Sequence, residues 1–431
     1  MLDTLSIKGR DAHLPLWTNR TPPSKPVAYD SAVIVGNGIG AAVMAARLNR
    51  ASGFAGKVVM VSPPVAESRR LINGVTLRAR SVDYYAAALG TTRETVLTEV
   101  YGPDWRLATT YRQKVAVAVK EGHTYRLGKT GTWMTNTGVR HDRSENAPLA
   151  YGVRNSRLAG ALVSLATKAG VRQIGDDIND LPTLRTLAPG KAPLIVNARP
   201  KLLDNAAVAW QAPAPKEMVL AAQMTFTDQS RASKGILERH DAFCSFVHRD
   251  RGLDMAVLYP FQDPLSPLAR YYGIFYRVAK TGSFDKDHEY ACLTDEITGV
   301  GNTLGLEPHD MAETMGRASV PCLPWRGLQN RQQGVLDLSY IYSGGAPIIT
   351  GDGMARSAVA VTAAAEAIIC GRDPVPEMNR SLARYRFLNW GQCRLMTHFS
   401  GLTAGMVGLA PSLALAGPGY SRNWDMWAGA Y

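Results

Sequence analysis

The chain has 431 residues, 46% of them hydrophobic and 19% charged, enough for two or three domains around a sizeable core. Its net charge of +12 is spread along the sequence without the dense basic block or aromatic motif of a nucleic-acid binder, which leaves an anionic ligand or a solvated basic surface. Five scattered cysteines (Cys244, Cys292, Cys322, Cys370, Cys393) form no CxxC pair, which argues against a disulfide framework or a zinc site and suits a reducing cytoplasm.

Residues 1–26 are polar and punctuated by proline, with no apolar signal-peptide core. They read as an extended arm. The first strand signal is Ala32-Val33-Ile34-Val35. It runs straight into Gly36-Asn37-Gly38-Ile39-Gly40-Ala41, and helix formers fill residues 42–48. Strand, glycine turn and helix in that order make a GxGxxA match specific for a dinucleotide. Gly36 permits the tight turn, Gly38 lets the backbone approach a pyrophosphate, and Ala41 keeps the helix close to the sheet. Ile39 and Gly40 open that helix, where free N–H groups and the positive end of the dipole meet the phosphates.

The second strand, residues 57–62, ends on Ser62 before Pro63-Pro64. Many dinucleotide folds end this strand on an acid that binds ribose hydroxyls. A serine offers a single neutral hydrogen bond there. Arg69 and Arg70 follow, and a guanidinium suits bidentate phosphate contact. The glycine-containing run 122–130 has one residue too many for a P-loop, and no strand-turn-helix surrounds it. A helix pattern begins near Arg154 and continues through Leu158, Leu162 and Leu165. A strand then follows at 193–199.

Four runs at 218–226, 242–248, 255–260 and 271–278 are apolar, β-branched or aromatic and separated by turn residues. That pattern suits an antiparallel sheet. Tyr259-Pro260 ends the third run and Tyr272 lies on the fourth. Tyr259, Tyr272 and His248 are the candidate catalytic residues, weighed against sheet packing for the tyrosines and a loop-edge position for the histidine. The glycines at 299–305 follow no buried strand, so no second dinucleotide motif is expected. Farther on, Pro347-Ile348-Ile349-Thr350-Gly351-Asp352-Gly353-Met354 precedes a helix at 355–370 whose only charges are Arg356 and Glu366. A helix that apolar must be buried. The longest charge-free apolar stretch, 401–417, is broken by Pro411 and glycines, so no membrane span is expected, while a peripheral membrane or lipophilic contact stays open.

The pairing of an early GxGxxA turn with a late P-x-x-T-G-x-G turn resembles the FAD-dependent monooxygenase superfamily, which includes aromatic hydroxylases, flavin halogenases, geranylgeranyl reductases and lycopene-cyclase-like enzymes. The resemblance implies that Thr350, Gly351, Asp352, Gly353 and Met354 lie against the flavin ring and that Arg154 touches the flavin. Two departures stand out. Asn197-Ala198-Arg199-Pro200 replaces the usual Ala-Asp-Gly. The Gly-Asp that holds the ribityl chain is either replaced, or is Gly351-Asp352 itself after a strand at 346–350.

The expected fold is therefore α/β: a Rossmann-like FAD-binding domain (27–110, 150–200, 330–379), an inserted antiparallel substrate sheet (111–149, 201–329) and a C-terminal helical cap (380–431). By that resemblance the cofactor is FAD, reduced by NAD(P)H or by a partner flavin reductase. The expected reaction is hydroxylation of an apolar or aromatic small molecule through a flavin C4a-(hydro)peroxide, and the basic charge suits an anionic group on that molecule. A FAD-dependent reductase, dehydrogenase or cyclase without oxygen chemistry is the first alternative, and a non-catalytic flavin redox sensor the second. No W-x-W-x-I-P element is present, which lowers halogenation. No metal site and no nucleic-acid partner are expected, and a cytoplasmic setting is; the aromatic residues of the C-terminal cap suit core packing first, with cover over the cleft or a homodimer contact as alternatives.

Overall fold

The computed structural model describes residues 28–63, 74–103, 105, 110–111, 114–121, 124–127, 131–132, 150–199, 203–205, 217–228, 242–249, 252–260, 271–280, 285–303, 306–308, 316–322, 334–338, 353–382 and 398. The chain opens with β1 (Ser31–Val35), α1 (Ile39–Asn49), β2 (Val58–Val61), β3 (Gly74–Arg78), α2 (Ala79–Leu89) and α3 (Arg93–Tyr101). Short strands β4 (Thr110–Tyr111), β5 (Lys114–Glu121), β6 (Thr124–Leu127) and β7 (Gly131–Thr132) precede β8 (Ala150–Arg154), α4 (Asn155–Lys168) and β9 (Arg172–Ile174). Then come α5 (Leu181–Thr186), β10 (Pro193–Asn197), β11 (Glu217–Asp228), β12 (Ala242–Arg249), β13 (Gly252–Pro260) and β14 (Tyr271–Lys280). The last elements with named bounds are α6 (Lys286–Thr303), β15 (Leu306–Pro308), β16 (Gly316–Cys322), β17 (Val335–Asp337) and α7 (Gly353–Ile369).

β1 lies at the centre of a five-stranded parallel sheet in the order β17-β10-β1-β2-β9. Both faces of such a sheet are covered, so its strands read as unbroken apolar runs. Ala32, Ile34, Met60, Leu194 and Val196 join one core with α1, α4 and α7. The alternate residues Val33, Val35, Val59, Val61 and Ile195 form the opposite core with Leu181 and Leu184 of α5. Each fully buried side chain of this size contributes about 1.5–3 kcal/mol. α1 buries every residue except Arg47. Its many alanines let helices approach on both sides, and α1 packs against both α4 and α7. Arg47 pairs with Glu366, so the one charged side chain of α1 is spent on α7.

The second sheet has nine strands and carries the segments expected for the substrate side. It corrects the antiparallel expectation at one place: β12 pairs with β5 in parallel, Ala242 beside Val115. These two strands lie far apart in sequence, so no hairpin fixes their relative direction. All other pairings in this sheet are antiparallel. α6 packs on β11 and β14, anchored by the ion pair of buried Arg277 with Glu289. Glycines 299 and 301 fall within α6, which explains why that glycine run is no nucleotide turn. β3, β8 and β4 form a small third sheet whose middle strand delivers Arg154 to the start of α4. The proposed C-terminal cap lies outside the described residues except for a helix at 374–382 and His398.

α3 is latched to α4 by Glu99, which accepts from Ser164 Oγ at 2.6 Å and from Lys168 Nζ at 2.9 and 2.7 Å. The lysine, then the serine, hold its carboxyl below the ordinary carboxylate range. A depressed folded pKa gives stability that is present above the unfolded value and lost as the pH falls through the folded one. Glu99→Gln is expected to cost about 0.5 kcal/mol at neutral pH, the size of a partly solvated pair. Urea unfolding across the acid range should show this difference vanish once the carboxyl is protonated.

Candidate dinucleotide-binding site

Gly36 is held from two sides where β1 ends. Its N–H donates to Val61 O of β2 at 2.9 Å, and Ala198 N, just past β10, donates to Val35 O at 2.9 Å. Its φ is +132°, a backbone state that favours glycine. A Cβ there would lie 3.0 Å from Ala198 O. Asn37 ties the turn to the exit of β2, donating through Nδ2 to Pro63 O at 3.1 Å. Gly38 is the N-cap of α1, with φ −82° and no side-chain cap. A Cβ on Gly38 would meet nothing within 4 Å. The cradle is thus tight at Gly36 and open at Gly38.

Two further helices begin at the same edge. Asn49 Nδ2 donates to Ala169 O at 3.0 Å, which puts the ends of α1 and α4 side by side. Ile368, Ile369 and Gly371 share a cleft with Arg47 and with Ala28 and Tyr29 before β1, which puts the end of α7 there too. All three helices therefore run antiparallel to the strands and start at the carboxyl end of the sheet. None has an acid in its first turn. Each start adds unsatisfied N–H groups and roughly half a positive charge. Arg154, 5% exposed, caps α4 with no side-chain capping bond.

A polar brace lies along this edge. Buried Asn197 donates to Asp337 Oδ1 at 3.2 Å and accepts from Arg199 N at 3.3 Å. The Arg199 guanidinium reaches the loop after β9, donating to Asp177 Oδ1 at 2.8 Å, to Ile178 O at 3.3 Å and to Asn179. The replacement of Ala-Asp-Gly by Asn-Ala-Arg thus has a structural use. Sequence reasoning missed Asp337 and the brace, because the partners are up to 140 positions apart and no local pattern marks them.

Of the residues singled out from sequence, Gly36, Gly38, Ile39, Gly40, Ala41, Ser62 and Arg154 come together at this edge. Gly353 and Met354 open α7 there. Arg69, Arg70, Thr350, Gly351, Asp352 and the strand expected at 346–350 lie outside the described residues. The fifth strand of the sheet is β17, which pairs with β10 through Asp337 and Asn197. On the nine-stranded sheet Tyr259 stands in register with Tyr272. His248 pairs instead with Leu253, six residues back along β13, or about 20 Å at strand rise. Among the described residues no group of three His, Cys, Asp or Glu side chains could hold a metal, and no helix is long and apolar enough to cross a membrane.

Gly36→Ala is expected to destabilise the fold by about 2 kcal/mol, through positive φ and collision with backbone. Gly38→Ala should cost under about 1 kcal/mol, the difference between glycine and alanine at an N-cap. Thermal unfolding of the two variants side by side checks this contrast.

No family model matches the chain, and no curated protein matches it. Solved structures do. The p-nitrophenol 4-monooxygenase PnpA from Pseudomonas putida DLL-E4 superposes with a TM-score of 0.55 at 12% identity, covering 93% of this chain and 98% of that one. FqzB gives 0.52 at 12% identity over 95% of both chains. The tryptophan 5-halogenase MibH gives 0.51 at 14% identity, over 95% of this chain and 87% of that one. The chain shares the α/β fold of these solved structures, built on a Rossmann-like parallel sheet.

Proposed function

We propose that the chain is an FAD-dependent oxidoreductase and that it works as a monooxygenase on an apolar or aromatic small molecule. The observation that carries the reading is the open cradle at Gly38: an uncapped helix start with room where a Cβ would be, beside a turn pinned at Gly36. These residues fit the ADP half of FAD, because a pyrophosphate needs close backbone approach and free N–H donors. The α1 N–H groups hold the pyrophosphate. Arg154 and the start of α7 at Gly353 and Met354 bring positive potential to the flavin end, and Thr350, Gly351 and Asp352, which directly precede α7 in sequence, are proposed to line the flavin ring. Bound flavin supplies electron transfer and oxygen activation.

The chain's own part is to orient, to exclude water and to present the substrate. Tyr259 and Tyr272, side by side on β13 and β14, are proposed as the pair that positions it. The likeness to PnpA, whose name is p-nitrophenol 4-monooxygenase, and the lack of a W-x-W-x-I-P element favour hydroxylation over halogenation. The net charge of +12 suits an acidic group on the substrate. Electrons come from NAD(P)H or from a separate flavin reductase.

Three outcomes are expected. Protein purified with added FAD shows bound-flavin absorption, and Gly38→Glu abolishes it while leaving the unfolding temperature within a few degrees, since the added charge and bulk enter the phosphate space. NAD(P)H or a reductase under air drives oxygen uptake that becomes coupled to product only with the right substrate. Tyr259→Phe and Tyr272→Phe keep flavin binding and lower the product formed per oxygen consumed. Flavin retained by folded Gly38→Glu overturns the placement of the cofactor; reduction of substrate without oxygen uptake overturns the monooxygenase reading.

A further inference from the structure

We propose that Ser62 makes the ribose end of the cradle neutral, so that the site accepts adenine dinucleotides whether or not the ribose carries a 2′-phosphate. The inference rests on the dinucleotide reading above and concerns which adenosine the site takes. Ser62 directly follows β2, and its N–H continues the strand by donating to Ile174 O of β9 at 3.0 Å. Met60, two residues earlier, packs in the core shared with α1. The period of two therefore turns Ser62 to the α1 face of the sheet, at the edge where the cradle opens. The bond from Asn37 to Pro63 O fixes that segment beside the glycine turn.

Ser62 is 1% exposed, and its Oγ has no hydrogen-bond partner among the described residues. A buried hydroxyl left unpaired forfeits the hydrogen bonds it had in water. A ribose hydroxyl reaching this edge would satisfy it. In dinucleotide folds a carboxylate at this position accepts from the ribose diol and repels a phosphate on it. A serine hydroxyl both donates and accepts, and it carries no charge. Ser62 thus brings no charge of its own to the end of β2.

The test is displacement of FAD, read by flavin fluorescence, with ADP-ribose and 2′-phospho-ADP-ribose as paired probes. Wild-type protein should bind the two within about threefold of each other. Ser62→Ala should weaken both, and FAD, by about fivefold, the worth of one net hydrogen bond. Ser62→Asp should keep ADP-ribose and separate the pair by roughly thirtyfold or more, through contact of like charges. The inference is overturned if Ser62→Ala binds like wild type, or if wild type already rejects the phosphorylated probe as strongly as Ser62→Asp does. Wild-type protein that binds FAD but fails either comparison sinks this inference alone; wild-type protein that binds neither FAD nor the probes sinks the flavin reading with it.

Discussion

A parallel sheet forces its covering helices to run back against the strands, and that constraint organises everything at this site. α1, α4 and α7 all finish together at the amino end of the sheet, so all three start at its carboxyl end. Their dipoles add rather than cancel. With no acid in any first turn and Arg154 buried at one of the starts, the edge gathers positive potential inside a low-dielectric surround, where charge acts over longer range than in water. An anion is the natural complement. An anionic ligand is thus favoured by the fold itself before any side chain is chosen to touch it.

The same edge shows how rigidity and access are divided. Gly36 is clamped to Val61 on one side, while Ala198 bonds the preceding Val35 on the other, and the Asp337–Asn197–Arg199 brace stiffens the strand ends beyond it. Gly38, two residues away, is left clear. A backbone that must approach a phosphate closely has to be well held, because small displacements lose hydrogen bonds that fall off steeply with geometry. The brace uses side-chain bonds to do what helices and sheet do elsewhere in the core.

Much of this was legible in the sequence. The apolar run 32–35, the glycine turn and the alanine-rich helix gave the first βαβ unit, because local periodicity and turn chemistry agree there. The four strands of the substrate sheet were legible for the same reason. What could not be read depends on pairing over distance. β17 is three residues long and carries no pattern of its own; only its register with β10 makes it a strand of the sheet. The brace through Asp337 and the parallel contact of β5 with β12 are likewise set by tertiary geometry. His248 and Tyr259 looked equally placed along the sequence, and only strand register separates them.

The parallel contact between β5 and β12 also has a bearing on how the chain is made. β5 ends at Glu121 and β12 begins at Ala242, so during synthesis the edge of β5 waits for residues 122–241 to be added before its neighbour exists. The five-stranded sheet waits longer still, since β17 at Val335–Asp337 completes its order. The last strand of the nine-stranded sheet, β16 (Gly316–Cys322), is made shortly before β17 completes the five-stranded one. Contacts of such long sequence separation slow folding and leave unpaired strand edges open to other chains. The protein is thus expected to depend on chaperones during translation, and to be recovered poorly when refolded at high concentration.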